Sequence, residues 1–252
     1  MLIVDQITAQ GRQLFRLRSF MPLILLPALY FALLQMANFE QRWGDEVEDA
    51  WLVVCALFSL VGLLIRCLTV GFVPVGTSGR GRGVPSAATL NTLGMYSIVR
   101  NPLYLANGLM WLGVALATTS AWFVCLSVLF YWLYIERVIA AEEAFLAERF
   151  GENFVRWASR TPCFLPRISQ WSNPSMSFSV RTVLRREHSG LIAIGMAFTL
   201  IEFISDTWLE GEPVRSWVVT DREWVYFFCA TVVLGLFLQL LKKCRYLDVA
   251  GR

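Results

Sequence analysis

The sequence predicts an all-α membrane protein, a polytopic bundle of about six transmembrane helices with both termini in the cytoplasm. Hydrophobic residues make up 56% of the 252 residues, aromatic residues make up 14%, and the mean hydropathy is +0.55. This composition is too apolar for an ordinary soluble domain. The apolar residues also fall in long uncharged runs, most of which approach the roughly 20 residues that span a bilayer.

Six apolar segments are candidate transmembrane helices. They cover residues 20–37, 51–73, 102–118, 121–135, 191–205 and 217–241. The third and fourth segments are short and nearly continuous, so we interpret them as a helical hairpin that turns at residues 118–120. The fifth segment is also short and carries Glu202 near its end.

The charges between these segments indicate the orientation. Arg12, Arg16 and Arg18 precede the first segment, whereas the connection after it is acidic. Because positive residues concentrate on the cytoplasmic side of a membrane, we expect the N-terminus in the cytoplasm. Alternation through six spans then places residues 136–188 and the basic C-terminal end inside, and the acidic loop near Glu212 outside.

The chain is predicted to have three parts. Residues 1–50 hold an N-terminal segment and the first transmembrane helix, residues 51–170 a core of three transmembrane helices and an amphipathic helix, and residues 171–252 a linker and a two-helix extension. The first residues lack an early basic region and a small-residue cleavage site, so we expect no removable signal peptide.

Several other functions are not expected. The six cysteines are scattered without metal-ligand spacing, which predicts neither a disulfide framework nor a metal site. The net charge of +3 follows from cytoplasmic arginines near anionic headgroups, so no nucleic-acid partner is expected. The glycine-rich run at 76–83 lacks the Lys-Ser/Thr ending of a phosphate-binding loop and is interpreted as a flexible interfacial loop. His188 is expected to be solvated beside the membrane.

An Arg-Asn-Pro sequence at the start of the third segment is the first candidate site. Asn101 and Pro102 suit the N-cap and the first position of a helix. Arg100 adds a positive charge beside the helix N-terminus, a combination that favours a carboxylate or phosphate. Tyr96 and Tyr104 flank the turn and are able to stack on a ligand or hydrogen-bond it. Alternatively, this sequence only starts a helix, and the arginine and tyrosines are interfacial anchors.

Glu142 and Glu143, after the fourth segment, are the second candidate site. Apolar residues recur around them at helical spacing, which predicts an amphipathic helix on the membrane surface. These apolar residues are Ile139, Leu146, Phe150, Phe154 and Trp157. Near the start of such a helix the two acids interact favourably with its dipole. Alternatively, a carboxylate at the mouth of an apolar pocket holds a cationic or hydroxyl-bearing cofactor or accepts a proton. Gly151 and the prolines at 162 and 166 are expected to break the helix.

The two candidate sites together resemble the membrane methyltransferases related to isoprenylcysteine carboxyl methyltransferase and the phospholipid methyltransferases. The matching residues are Gly94, Tyr96, Arg100, Pro102, Tyr104, Glu142, Glu143, Leu146, Phe150, Gly151, Phe154 and Pro166. The resemblance covers about residues 60–166 and is strongest to bacterial members, which include an enzyme that methylates a phosphate on lipid A. Relatives often have histidine where this chain has Asn101, which cannot titrate.

This resemblance implies S-adenosylmethionine as the cofactor, bound between the Arg-Asn-Pro turn and the Glu-Glu helix, with a lipid entering between the spans. The implied cofactor-binding residues are Gly94, Tyr96, Arg100, Asn101, Pro102, Tyr104, Glu142 and Glu143. The expected location is a bacterial inner membrane, with the active site facing the cytoplasm.

The arginines suggest the methyl acceptor. An anionic phosphate or carboxylate oxygen needs arginines to hold it, whereas an amine or thiol needs a base such as Glu142 or Glu143. The arginines near the predicted cytoplasmic boundary are Arg66, Arg80, Arg82, Arg100 and Arg137. Arg66 lies within the second segment, where a charge usually has a partner or a task; alternatively, its side chain extends to the interface.

The sequence therefore favours methyl transfer to an anionic membrane lipid or lipid-linked acceptor, with Arg66, Arg137, Glu142 and Glu143 as the candidate catalytic residues. Three alternatives remain open. These are a small-molecule thiol or amine methyltransferase on the same scaffold, an NADPH-dependent membrane reductase, and a membrane scaffold without enzymatic activity.

Overall fold

A computed structural model describes residues 2–18, 20–74, 76–77, 87–209 and 211–251 of the chain. Within these ranges every regular element is a helix. Most of the glycine-rich run at 76–83 lies outside the described residues, and so do Arg80 and Arg82.

The N-terminal part is a series of helices with a sharp bend. Helix α1 (Ile3–Leu17) is followed by a 3₁₀ turn (Met21–Leu25) that leads into α2 (Leu26–Leu33), and the two helical stretches meet at 92°. This bend precedes the predicted span at 20–37, and the span itself is divided into the 3₁₀ turn, α2 and the start of the next helix, which begins at Met36. Proline at the start of both the 3₁₀ turn and α2 explains this, because proline lacks the amide that would continue a preceding helix.

Two long helices form the middle of the bundle together with shorter ones. Helix α3 (Met36–Trp43) leads into α4 (Asp45–Gly71). After α5 (Met95–Ile98) come α6 (Pro102–Ala117), α7 (Ala121–Phe150) and α8 (Glu152–Ala158). The predicted hairpin between the third and fourth segments is confirmed, and its turn includes Thr119 at a positive φ of 53°.

The predicted amphipathic helix after the fourth segment does not exist as a separate element. Helix α7 continues through Glu142 and Glu143 to Phe150 without a break. Gly151, with a φ of 54°, then ends it, and α8 carries Phe154 and Trp157. The apolar spacing was correct, but its residues are divided between two helices because glycine is able to adopt the left-handed conformation that the break needs.

The C-terminal part contains two long helices. After a 3₁₀ turn (Ile168–Gln170), helix α9 (Val180–Ile204) continues into a π-helical turn (Ser205–Leu209), and short α10 (Val214–Thr220) precedes α11 (Arg222–Lys243). Helix α9 starts well before the predicted span at 191–205. His188 is consequently buried inside the bundle rather than solvated, with its Nδ1 atom 3.1 Å from the Leu184 carbonyl oxygen.

The all-α membrane fold is confirmed, but the number of long spans differs from the prediction. Four helical stretches are long and apolar enough to cross a membrane, or five if the bent N-terminal pair counts as one span. They are Glu46–Gly71, Ala121–Phe150, Val180–Leu209 and Arg222–Lys243. Helix α6 has 16 residues and a length of about 24 Å, less than the hydrocarbon thickness of a bilayer. The sidedness of the termini and the three-part division of the chain remain predictions.

Helix α4 lies at the centre of the bundle and packs against α6 and α9. Small residues permit the close approach: a Cβ atom on Gly62 would lie 2.6 Å from the Ala106 carbonyl oxygen, and one on Gly113 would lie 2.1 Å from Ser59 Oγ. Close contact through small residues is typical of helix packing in membranes. The same packing brings the polar residues of α4, α6 and α9 together near one end of the bundle.

Candidate active site

A cavity of about 310 Å³ lies where α4, α6, α7 and α9 approach one another. Its charged lining residues are Arg18, Arg66, Arg100, Glu142 and Arg186. Its aromatic lining residues are Tyr96, Tyr104, Trp111, Tyr131, Tyr134, Phe145 and Trp157. The described lining therefore carries four arginines and one carboxylate.

The Arg-Asn-Pro turn starts α6 as predicted, but Asn101 does not cap the helix with its side chain. Asn101 occupies the N-cap position and Pro102 the first helical position. The Asn101 side-chain amide donates to the Cys163 carbonyl oxygen at 3.1 Å, and the Arg100 amide donates to the Pro162 carbonyl oxygen at 2.9 Å. The chain that follows α8 thus fixes the turn, and the helix N-terminus remains at the cavity.

Glu142 is the carboxylate of the cavity, and it accepts a hydrogen bond of 2.8 Å from the hydroxyl of Tyr104. The Tyr131 hydroxyl donates to the Tyr104 carbonyl oxygen at 2.6 Å, and this bond holds the backbone of Tyr104 in place. Glu142 lies well inside α7, far from the N-terminus of that helix. The explanation of this acid by a helix dipole is therefore wrong, since the dipole acts only within the first turn.

Glu143 contacts the turn from outside the described cavity lining. Its Oε1 atom lies 3.4 Å from Arg100 Nε, which is buried and makes no hydrogen bond. The same oxygen accepts from the Cys163 thiol at 3.8 Å. Burial, and then the charge of Glu143, raise the pKa of the Cys163 thiol. The Arg-Asn-Pro turn and the Glu-Glu pair are therefore in contact. Tyr104 contacts Glu142, and Arg100 contacts Glu143.

Arg66 has a buried partner that the sequence did not reveal. Its guanidinium donates to both carboxylate oxygens of Glu187, at 2.6 and 3.2 Å, and to Asn107 Oδ1 at 2.6 Å. The Arg66 side chain is 15% exposed and that of Glu187 is 3% exposed. The alternative in which Arg66 extends to the interface is therefore wrong, because α9 supplies the counter-charge inside the bundle.

Arg137 and Gly94, two predicted site residues, do not line the described cavity. Arg137 donates to Gln10 Oε1 at 3.0 Å and to the Leu133 carbonyl oxygen, on the exposed side of α7. Gly94 is buried beside Pro174, where a Cβ atom would lie 3.2 Å from Cγ of that proline. Gly94 therefore shapes the backbone before α5, and Arg137 ties α7 to α1.

Some cavity residues come from parts of the chain to which sequence reasoning assigned no site role. Arg18 follows α1, and Arg186 belongs to α9. Trp157 of α8 donates its indole N–H to the Tyr96 carbonyl oxygen at 3.1 Å and closes one side. Burial, and then Glu142, raise the pKa of Tyr96, so its hydroxyl remains neutral near pH 7.

Two apolar grooves adjoin the cavity. A groove of about 170 Å³ shares Trp111 and Tyr131 with the cavity. A second groove of about 290 Å³ shares Pro22 and Trp111 with it. A polar site next to apolar grooves is suited to a molecule with a charged head and a hydrocarbon tail.

Comparison with known families identifies part of this chain. Residues 51–153 match the model of the phospholipid methyltransferase family. This part of the chain belongs to that family. We call residues 51–153 the methyltransferase segment. It includes the Arg-Asn-Pro turn, the hairpin and the Glu-Glu pair. The match therefore confirms the resemblance inferred from the sequence. Members of this family are membrane methyltransferases that use S-adenosylmethionine.

Two curated bacterial proteins are similar to the chain. One is the cobalt-zinc-cadmium resistance protein CzcN of Cupriavidus metallidurans, 34% identical over 148 residues, which are 58% of this chain and 63% of that protein. The other is the nickel-cobalt-cadmium resistance protein NccN of Alcaligenes xylosoxydans xylosoxydans, 33% identical over 129 residues, or 51% and 58% of the two chains. The chain thus spans about three fifths of the length of these relatives. No solved structure matches it.

Proposed function

We propose that this chain transfers a methyl group from S-adenosylmethionine to an anionic oxygen of a membrane lipid or lipid-linked molecule, at the cytoplasmic face of a bacterial inner membrane. The observation that carries the proposal is a cavity lined by four arginines and one glutamate directly beside two apolar grooves. An enzyme that joins a polar donor to a lipid requires both environments in one place.

Residues that line the cavity fit the donor. Arg100 lines the cavity beside its ion-pair partner Glu143, and its guanidinium suits a carboxylate. Glu142 suits an ammonium or ribose hydroxyl, and the rings of Tyr96 and Trp157 suit a sulfonium and an adenine. When bound, S-adenosylmethionine supplies an electrophilic methyl group. The protein groups hold the donor at the start of α6 and exclude water from it.

Arginines outside the methyltransferase segment are proposed to hold the acceptor. Arg18 and Arg186 line the cavity from the N-terminal and C-terminal parts of the chain. A phosphate or carboxylate oxygen is anionic near pH 7 and has no proton to lose, so positioning accounts for most of the catalysis. The lipid tail lies in the apolar grooves.

Cofactor binding tests the first half of this proposal. The purified full chain in lipid nanodiscs is titrated with S-adenosylmethionine and, separately, with NADPH. Glu142→Gln is expected to weaken the binding of S-adenosylmethionine at least tenfold, because it removes a charge that contacts the donor. Glu148→Gln, at an exposed position on the same helix, is the matched control and is expected to bind normally. Equal affinity in both variants, or binding of NADPH alone, contradicts the proposal.

The acceptor is tested by mass spectrometry of lipids from cells with and without the gene. An acidic lipid should gain one methyl group only when the gene is present and Arg186 is intact. Lys242→Gln, a change in another basic residue near a membrane boundary, should retain this product. Methylation found only on an amine or thiol would instead indicate the alternative reaction, with Glu142 as the base.

The names of the two relatives suggest a physiological consequence for the proposed reaction. Both are called resistance proteins for divalent metal ions. Methylation of an anionic oxygen removes a negative charge, which lowers the attraction of the membrane surface for cations. Cells with the wild-type gene should therefore grow at higher cobalt, zinc or cadmium concentrations than cells with the Glu142→Gln variant. Equal growth of the two strains contradicts this extension.

A further inference from the structure

A second polar cluster lies at the end of the bundle opposite the cavity. Three acids form this cluster, and each has a carboxylate oxygen within 4.8 Å of the others. They are Asp49 near the start of α4, Glu202 near the end of α9 and Asp221 just before α11. Asp49 is about 25 Å from Arg66 along α4, at 1.5 Å per residue. The cluster and the cavity are therefore separated by nearly the thickness of a bilayer.

The cluster extends to a second group of acids. Asp206 and Glu212 have carboxylate oxygens within 4.8 Å of one another and of Asp221. Two indoles orient the acids: Trp224 donates to Asp49 Oδ1 at 3.1 Å, and Trp217 donates to Asp206 Oδ2 at 2.8 Å. An indole is only a donor, so each one holds one carboxylate oxygen of its acid in place.

Glu202 gives the observation that points to a ligand. The residue is 4% exposed, and its Oε2 atom is buried without a hydrogen-bond partner. Among the described residues, no arginine or lysine forms an ion pair with Asp49, Glu202 or Asp206. Acids this close repel one another, and burial of an unbalanced carboxylate is unfavourable. A cation bound between the acids would relieve this repulsion and give Glu202 Oε2 a partner.

We propose that Asp49, Glu202 and Asp221 bind one divalent cation that prefers oxygen ligands, such as Mg²⁺, Ca²⁺ or Mn²⁺. The ligand atoms are all carboxylate oxygens, the type that these cations favour. The bound cation joins α4, α9 and α11 at the face opposite the cavity. The expectation of no metal site rested on the spacing of the cysteines, and it did not consider acids far apart in the sequence. This site is independent of the proposed methyl transfer.

Manganese binding tests the site directly. The full chain in nanodiscs of zwitterionic lipid is titrated with Mn²⁺, and free Mn²⁺ is measured by electron paramagnetic resonance. Wild-type protein should bind one equivalent saturably, and Glu202→Gln should weaken binding at least tenfold. Glu223→Gln is the matched control, because this nearby acid is 72% exposed and lies outside the cluster. Non-saturable binding, or an equal effect of both variants, overturns the proposal.

A measurement on the wild-type fold covers the case in which Glu202→Gln fails to fold. Tb³⁺, another cation that prefers oxygen, emits strongly when an adjacent excited indole transfers energy to it. Bound Tb³⁺ should be sensitised by Trp224, which contacts Asp49, and Mn²⁺ should displace the Tb³⁺ and abolish the emission. Trp224→Phe should reduce the emission several-fold, whereas Trp171→Phe should not. Wild-type protein without sensitised emission, or emission that Mn²⁺ leaves unchanged, overturns the proposal.

Discussion

Removal of the Glu187 charge is expected to destabilise the bundle strongly. Arg66 and Glu187 form a two-bond ion pair between α4 and α9, and their side chains are 15% and 3% exposed. Glu187→Gln keeps the shape of the side chain and one acceptor oxygen, but it removes the negative charge opposite the guanidinium of Arg66. The side chain of Glu187 is almost fully buried, so solvent does not readily replace the charge that is lost there.

The magnitude follows from this burial. Loss of one partner of a buried ion pair costs about 3–5 kcal/mol, and the remaining bond to Asn107 favours the lower end of that range. For a chain of this size, about 3 kcal/mol corresponds to a decrease in Tm of about 6–12 °C. The double variant Arg66→Met with Glu187→Leu should recover most of the loss, because apolar residues of similar volume often replace a buried pair without penalty.

Thermal unfolding in detergent, followed by circular dichroism, measures this effect. Asp248→Asn is the matched control, since it breaks a second ion pair of α9, between Arg185 and Asp248, in which the acid is 53% exposed. An exposed pair contributes less than about 1 kcal/mol. Equal decreases in Tm for Glu187→Gln and Asp248→Asn, or a double variant less stable than Glu187→Gln, would refute the reasoning.

Three further changes test other contacts. Gly11→Ala should destabilise the protein by about 1–3 kcal/mol in the same unfolding assay, because its Cβ atom would collide with the Arg137 carbonyl oxygen and force α1 away from α7. Tyr104→Phe should weaken S-adenosylmethionine binding several-fold in titrations, since it removes the hydrogen bond to Glu142, worth about 1 kcal/mol. The Cys163 thiol should react slowly with iodoacetamide at pH 8 and faster at higher pH, because its raised pKa keeps it protonated.

Each of these changes has a control on the same chain. Gln13→Ala, at an exposed position of α1, should leave the unfolding midpoint unchanged, and an equal decrease would contradict the packing argument. Tyr226→Phe, at a side chain 67% exposed, should bind the cofactor normally. The exposed thiol of Cys244 should be alkylated at pH 8 well before Cys163, and the reverse order would contradict the pKa argument.

The fold class and the hairpin could be predicted because both depend on local patterns. The length of the apolar runs predicted the long helices. The two threonines and the serine at 118–120, between two apolar runs, predicted the turn of the hairpin. The limits of the helices were harder to predict, since a charged residue does not end a helix that continues beyond the membrane. Helix α7 therefore extends through Glu142, and α9 begins before Glu187.

The site was predictable only where residues adjoin within a motif. Tyr104 and Glu142 were both identified, but no sequence pattern indicated that their side chains form a hydrogen bond. The partner of Arg66 was missed because Glu187 is distant in the sequence and lies among arginines that resemble a solvated boundary. Pairing of this kind depends on the packing of α4 against α9, which no local pattern encodes.

The contact between Arg66 and Glu187 also limits how this chain can be divided. Residues 51–153 match the family model, yet the acid that balances Arg66 lies outside them, on α9. A shortened protein that ended after residue 153 would place the guanidinium of Arg66 in the bilayer without the acid that balances its charge. Grafting this segment onto another scaffold, or exchanging C-terminal helices between relatives, would therefore require an acidic residue supplied from the new neighbour at the same depth.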